Sequence, residues 1–255
     1  MLSLSVIKIG GNLIDSTPEL DHFLGEFAKL SGPKILVHGG GQIATKIGER
    51  LGIVSQYRDG RRITDAETLD LVTMVYAGLI NKKIVARLQS MGCNAWGITG
   101  ADGNLIPAVK RPITTVDFGF VGDVKSTAIP AASWQNLLEG STVPIVAPLT
   151  HDGIGHLLNT NADTMAQEIA KALSPYYKVS LLFLLDKPGV LANIKDEKSC
   201  IPKINEVLYR EMKEKGTITE GMIPKLENAF AALQQGVDQV ILGNARSFRE
   251  VMAGL

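Results

Sequence analysis

A chain of 255 residues, 45% of them apolar, is long enough for one large α/β domain or two lobes sharing a sheet around a real core. Its 26 basic and 26 acidic residues cancel, so no overall basic field exists to hold nucleic acid or an anionic membrane, and any bound anion needs a local site. Cys93 and Cys200 lie far apart without metal-ligand spacing and read as reduced thiols, and no apolar run approaches the roughly 18–20 residues that span a bilayer. Residues 1–8 carry neither a basic leader nor a cleavage site, so no signal peptide is read and the cytoplasm is expected.

Ser5-Val6-Ile7-Lys8-Ile9 reads as a first strand, ended by Gly10-Gly11. Ser16-Thr17-Pro18-Glu19 has capping-box spacing and predicts a helix to about Leu30. Lys34 to His38 is a second strand, stopped by Gly39-Gly40-Gly41, and a helix follows from about Ile43 to Leu51. Thr64-Asp65 can cap a long helix to about Met91, with Leu69, Val72, Met74, Val75, Leu79, Ile80 and Ile84 at roughly helical spacing. Asn94 to Gly97 and Val143 to Ala147 read as buried strands, and the glycines and short β-like runs of residues 105–125 predict hairpins between them. A helix from Asp163 to Leu173, a strongly apolar strand from Val179 to Leu185, a helix from Pro224 to Gln235 and a strand from Gln239 to Leu242 complete the pattern. Strand–glycine–helix repetition predicts an α/β fold, a mostly parallel sheet with helices on both faces, and in such sheets ligands bind where loops leave the carboxyl ends of strands. A boundary is expected at 160–163, where the hairpins stop and the αβ pattern resumes.

Two glycine loops sit at such ends. Gly10-Gly11 follows Lys8, and Gly39-Gly40-Gly41 stands between a strand and a helix. Without Cβ atoms, phosphate oxygens can approach backbone N–H groups, and a helix N-terminus favours negative charge. Glycines also serve simply as tight turns, the stronger reading for Gly10-Gly11 taken alone. Neither loop is a Walker A sequence or a dinucleotide fingerprint.

Six short motifs follow one another: Lys8-Ile9-Gly10-Gly11, His38-Gly39-Gly40-Gly41, Gly60-Arg61-Arg62-Ile63-Thr64, Asn159-Thr160-Asn161-Ala162-Asp163, Asp186-Lys187-Pro188-Gly189-Val190 and Gly221-Met222-Ile223-Pro224-Lys225. Together they resemble the amino acid kinase family, and within it the N-acetylglutamate kinase branch, over nearly the whole chain. The resemblance implies a three-layer α/β/α sandwich around a central, mainly parallel eight-stranded sheet. It implies an N-terminal lobe, residues 1–160, for acyl amino acid binding and dimerisation, and a C-terminal lobe, residues 161–255, for ATP. The implied reaction moves the γ-phosphoryl group of ATP onto the side-chain carboxylate of N-acetyl-L-glutamate or another N-acylglutamate, an early step of arginine biosynthesis. A carboxylate nucleophile is already ionised at neutral pH, so such chemistry needs no catalytic His.

By the same resemblance Lys8 and Lys225 are cations flanking the phosphoryl group in flight, and Asp163 orients both. Taken alone, Asp163 also reads as a helix N-cap. Arg62 is expected to grip the α-carboxylate, and Asn159 and Asn161 to bond the α-carboxylate and acyl-amide end. Gly40 and Gly41 are expected at the reacting carboxylate, Gly10 and Gly11 at the ATP phosphates. Asp186, Gly189, Thr217, Ile218 and Thr219 are expected in the nucleotide loops. Mg²⁺ is implied as a bridge on the nucleotide phosphates, with no protein ligand assigned. Because the first strand begins almost at residue 1, without the N-terminal helix of arginine-inhibited members, an arginine-insensitive homodimer is expected, its interface built on the long helix. Two other readings stay open: a kinase of the same superfamily acting on another small acid or phosphate, and a catalytically silent ligand sensor.

Overall fold

The computed structural model describes residues 1–58, 60–193, 195–218 and 222–253, without the side chains of Pro224 and Ala253. Its first half runs β1 (Ser3–Ile9), α1 (Gly11–Asp15), α2 (Thr17–Lys29), β2 (Lys34–His38), α3 (Gly41–Leu51), β3 (Gln56–Arg58), β4 (Arg61–Ile63), α4 (Ala66–Thr73), a π-helical segment (Met74–Ile80), α5 (Asn81–Ser90), β5 (Ala95–Ile98), β6 (Ala108–Lys110) and β7 (Gly122–Val124). Then follow α6 (Ala131–Glu139), β8 (Val143–Val146), β9 (Leu149–His151), β10 (Leu157–Asn159), α7 (Ala162–Leu173), β11 (Lys178–Leu185), α8 (Glu206–Glu214), α9 (Ile223–Gln234), β12 (Gln239–Asn244) and α10 (Phe248–Ala253).

All five residues of β2 and six of the eight in β11 are buried, the pattern of parallel strands covered on both faces. The central sheet has the order β12-β11-β1-β2-β8-β5, and every pair is parallel. Side chains alternate across it. Ile7, Ile9, Leu36 and Leu182 join Phe23, Phe27 and Leu71 in one core, while Val6, Val37, Leu181 and Phe183 join Trp134 and Ile169 in the other. Each fully buried Phe or Leu stabilises the fold by about 2 kcal/mol. A smaller cluster of Val190, Tyr209, Met212, Ile218 and Leu226 ties α8 to α9. Helix α7 lies against β1, β2 and β11, across the expected boundary at 160–163.

Two expectations are corrected. Among the described residues the central sheet has six strands, not eight; the remaining strands, three residues each, pair into the antiparallel hairpins β3–β4, β6–β7 and β9–β10. The N-cap of α7 is Asn161, whose Oδ1 accepts from the Thr164 N–H at 2.9 Å, and Asp163 stands inside the first turn. The long helix does form, capped by Asp65 on the Thr68 N–H at 2.8 Å, but its middle is a π-helical segment. No helix among the described residues is long and apolar enough to cross a membrane.

The register places the site. Ile9 of β1 is level with His38 of β2 on one side and Leu184 of β11 on the other. The loops after these strands, Gly10-Gly11, Gly39–Gly41 and Asp186 onward, therefore emerge side by side. β1 is also where the strand order reverses, with β2 and β8 to one side and β11 and β12 to the other, the place where open α/β sheets form a ligand crevice.

Candidate active site

Lys8, Asp163 and Lys225 come from three separate elements and meet at the carboxyl end of β1. Lys8 is the penultimate residue of β1, Asp163 lies in the first turn of α7, and Lys225 lies in the first turn of α9. Lys225 Nζ donates to Asp163 Oδ2 at 2.7 Å, and Lys8 Nζ lies 2.8 Å from Oδ1, an ion pair without hydrogen-bond alignment. The side chains are 14% (Lys8), 25% (Asp163) and 33% (Lys225) exposed, so the cations are partly shielded from water yet open to an incoming anion. Burial pushes the Asp163 carboxyl up, but the ammonium groups of Lys8 and Lys225 outweigh it and hold the group below the usual carboxylate range. The N-terminus of α7 favours the same negative charge. The result is one fixed carboxylate holding two lysines for an anion.

The glycine loops close around this clamp. A Cβ on Gly10 would stand 3.9 Å from Lys8 Nζ, so the first loop passes beside the ammonium. The Gly39 N–H donates to the Ile9 carbonyl at 3.0 Å, which joins the two loops directly. Gly40 is obligatory: a Cβ there would lie 2.4 Å from Ile80 Cδ1 and 3.0 Å from Tyr76 Cδ1. Both side chains come from the π-helical segment, so that irregularity sets the shape of the second loop. Beneath it, His38 is fully buried; its Nδ1 is assigned as donor to the Gly39 carbonyl at 2.8 Å, leaving Nε2 to accept from Asn81 Nδ2 at 3.2 Å. Burial, against the Gly39 hydrogen bond and aided by nearby Lys82, lowers the His38 pKa to about 4. His38 is a neutral brace.

On the β2 side a cavity of about 220 Å³ is lined by Gly39–Gly41, Arg62, Asn159, Asn161 and further residues that include Arg61 and Arg111. The structure thus brings together all the residues expected to bind the acyl amino acid. Arg62 is buried, its guanidinium 4.9 Å from the Tyr57 ring centroid. Its Nη2 donates to the Gly41 carbonyl at 2.8 Å and to Thr45 Oγ1 at 2.9 Å, and its Nη1 donates to Ser55 Oγ. Arg62 thereby locks the second glycine loop. Asn159 Nδ2 donates to Thr64 Oγ1 at 3.0 Å, while the Asn161 side-chain oxygen caps α7.

On the β11 side five of the expected nucleotide residues fall into two groups, while Gly11 lines neither and faces Gln42, whose Cγ a Cβ there would meet at 3.7 Å. Gly10 and Asp186 line a cavity of about 490 Å³ with Asn12, His22 and Arg246. Gly189, Thr217 and Ile218 surround a separate space of about 40 Å³, where Ile218 is core and Thr217 Oγ1 donates to the Met212 carbonyl. Thr219 lies outside the described residues, as does Gly221. Among the described residues no three His, Cys, Asp or Glu side chains converge into a metal-holding set.

Sequence reasoning missed four residues here. Asn12 Nδ2 donates to Asp186 Oδ2, and Asn12 Oδ1 accepts from Gln42 Nε2 at 2.8 Å, so one amide bridges the ends of β11, β1 and β2. Because a carboxylate only accepts, Asp186 fixes the orientation of Asn12, and Asn12 that of Gln42. The signal was present, since each amide directly follows a glycine loop. Tyr76 and Arg111 had no such local signal; the helix and the β6–β7 hairpin carry them to the cavity.

Comparison with known proteins agrees with this geometry. A sequence model of the amino acid kinase family matches residues 3–244. A Cytophaga hutchinsonii protein named acetylglutamate kinase is 52% identical over 253 residues, covering 99% of this chain and 95% of that protein. A Parabacteroides distasonis protein of the same name is 51% identical over 250 residues, covering 98% and 97%. The crystal structure of smu.665 from Streptococcus mutans superposes with a TM-score of 0.74 at 27% identity, covering 95% of this chain and 94% of that one. A paired lysine clamp between two glycine loops, on a parallel sheet matched from end to end, has one consistent reading: the chain belongs to the amino acid kinase family.

Proposed function

We propose that this chain is a kinase that transfers the γ-phosphoryl group of ATP to the side-chain carboxylate of an N-acylated glutamate, N-acetyl-L-glutamate being the acceptor that the relatives' name carries. In this reading a carboxylate oxygen forms a new bond to the γ-phosphorus and the bond to the β,γ-bridging oxygen breaks. ADP leaves with that electron pair, and the product is an acyl phosphate. No proton need be removed from the acceptor, and no covalent enzyme intermediate forms.

The observation that carries the reading is the clamp itself, with Lys8 and Lys225 on the two oxygens of Asp163. A phosphoryl group in flight spreads charge over its equatorial oxygens, and cations already in place need no reorganisation to meet it. Asp163 is a positioning residue: it holds the lysines and takes no proton. In this proposal Arg62, Asn159 and Asn161 hold the acyl amino acid, with Gly40 and Gly41 at its reacting carboxylate. Gly10, Gly11, Asp186, Gly189 and the 217–219 segment hold the nucleotide. Magnesium would serve on the nucleotide phosphates, the role a divalent cation takes in phosphoryl transfer, and no step is routed through it. Residues 1–160 then serve the acceptor and a homodimer contact, residues 161–255 serve ATP, and the enzyme works in the cytoplasm in arginine biosynthesis.

Hydroxylamine converts an acyl phosphate to a coloured hydroxamate. With Mg-ATP, hydroxamate is expected from N-acylated glutamate and not from free glutamate, aspartate or carbamate. Product from carbamate or aspartate alone would overturn the acceptor, and no product from any tube would overturn the kinase.

A further inference from the structure

The acceptor cavity holds more positive charge than an acetylated substrate uses. Arg61, Arg62 and Arg111 all line it, and no Asp or Glu is among its described lining residues. One carboxylate of an N-acylglutamate goes to the transfer site and the other to Arg62, and an acetyl group brings no further charge. Arg61 is exposed on the β3–β4 hairpin, but Arg111 is held in place. It stands just after β6, with its Nε 3.1 and 3.2 Å from the two oxygens of Asp123, its Nη2 on Asp123 Oδ1, and its guanidinium 5.3 Å from the Phe118 ring centroid. Asp123 thus fixes one edge of the guanidinium. Nη1 on the other side is buried and has no hydrogen-bond partner among the described residues. An unpaired buried donor is costly, and a guanidinium suits a carboxylate better than any neutral group.

We propose that the acyl group of the preferred substrate ends in a carboxylate and that Arg111, steered by Asp123, is the residue that selects it. This inference rests on the kinase reading above and refines its acceptor from acetyl to an ω-carboxyacyl group. The distal carboxylate makes no bond to phosphorus; it pairs with Arg111 and leaves the glutamate side chain at Lys8. An Arg–carboxylate bond in a half-buried site discriminates by about tenfold or more against a substrate that lacks it.

The test compares kcat/KM in the hydroxamate assay for N-succinyl-L-glutamate, its distal primary amide and N-acetyl-L-glutamate. With the native chain, the succinyl compound is expected to exceed both others by about tenfold or more. In Arg111→Met the ratio of succinyl to acetyl is expected to fall by a similar factor, with Asp123→Asn lowering it less. Acetyl equal to or better than succinyl with the native chain would overturn the proposal, whatever the variants do. An unchanged ratio in a folded Arg111→Met would also overturn it, because a merely structural arginine moves both substrates alike. Turnover of acetyl alone leaves the kinase reading standing while this one falls; no turnover of any acceptor removes both.

Discussion

Replacing Asp163 by Asn removes the charge that holds the clamp and keeps the shape. The contacts of 2.8 and 2.7 Å, with the width of one carboxylate between them, put the two ammonium nitrogens no more than about 8 Å apart. At an effective dielectric near 20, two unit charges at that distance repel by about 2 kcal/mol. In the native site the carboxylate offsets this with an attraction to each lysine; in the variant the repulsion stands alone, and the amide NH2 that replaces one oxygen turns a donor toward one of the two ammonium groups. The lysines splay, and the transition state loses cations aimed at its equatorial oxygens. A loss of about 100- to 1000-fold in kcat follows, with the acceptor KM changed by less than about threefold, since the lysines matter most once charge has shifted. Steady-state hydroxamate kinetics on a variant shown to be folded by circular dichroism measures both. Near-native kcat would refute the reasoning, and a large rise in KM with unchanged kcat would show that the clamp serves ground-state binding instead.

Other perturbations separate the parts of the site. Gly40→Ala must push Ile80 or Tyr76 aside and is expected to cost about 1–3 kcal/mol by urea unfolding and to raise the acceptor KM; a neutral outcome would mean that the π-helical segment does not shape the loop. Arg62→Lys cannot reach the Gly41 carbonyl, Thr45 and Ser55 together and is expected to raise the acceptor KM by about tenfold or more, while the KM for ATP stays near native. His38 has its folded pKa lowered to about 4 from 6.5, so between those values the unfolded chain binds the extra proton. Its contribution is complete above pH 6.5 and is lost as pH falls toward 4, about 3 kcal/mol in all, and urea titrations at pH 7 and pH 5 should differ by about 2 kcal/mol more in the native chain than in His38→Gln. Asp163, with its folded pKa lowered below 3.8, adds stability above that value and loses it only at lower pH, so its loss is separable from that of His38.

Much of the scaffold was legible because burial on both faces leaves an unambiguous record. Lys34–His38 was read to the residue, and the strand read as Val179 to Leu185 is Lys178–Leu185, since continuous apolar runs flanked by glycine or helix signals have few alternatives. The helix expected from Ser16 to Leu30 is Thr17–Lys29, fixed by Pro18 in its first turn. What escaped was short or irregular. Helix α1 is five residues opened by a glycine, and the π-helical segment keeps the apolar spacing of the α-helix around it. Helix α8 went unread although Asn205 caps it, its Oδ1 accepting from the Leu208 N–H, and Tyr209 and Met212 mark its buried face.

The site was legible where a motif carries it and silent where the fold does. Lys8, Asp163 and Lys225 lie in three motifs, and the resemblance alone grouped them before the structure joined them through one carboxylate. Asp163 reads as a cap because it stands two residues after the true cap, Asn161; which of the two polar residues turns toward the helix is decided by backbone geometry that sequence does not contain. Arg111 reaches the acceptor cavity because β6 and β7 fold back as a hairpin; the short runs of residues 105–125 announce the hairpin, but nothing in them announces that it docks on the cavity.

The central claim is that this chain moves the γ-phosphoryl group of ATP to a carboxylate under the hold of Lys8 and Lys225. The most direct test follows ³²P from γ-labelled ATP in the presence and absence of N-acylated glutamate, with the native chain and with Lys8→Ala. The account predicts acceptor-dependent label in an acyl phosphate that hydroxylamine displaces, and a fall of about 100-fold or more in that rate for Lys8→Ala at saturating substrates. Label appearing only as inorganic phosphate, at a rate indifferent to the acceptor and to Lys8, would contradict it.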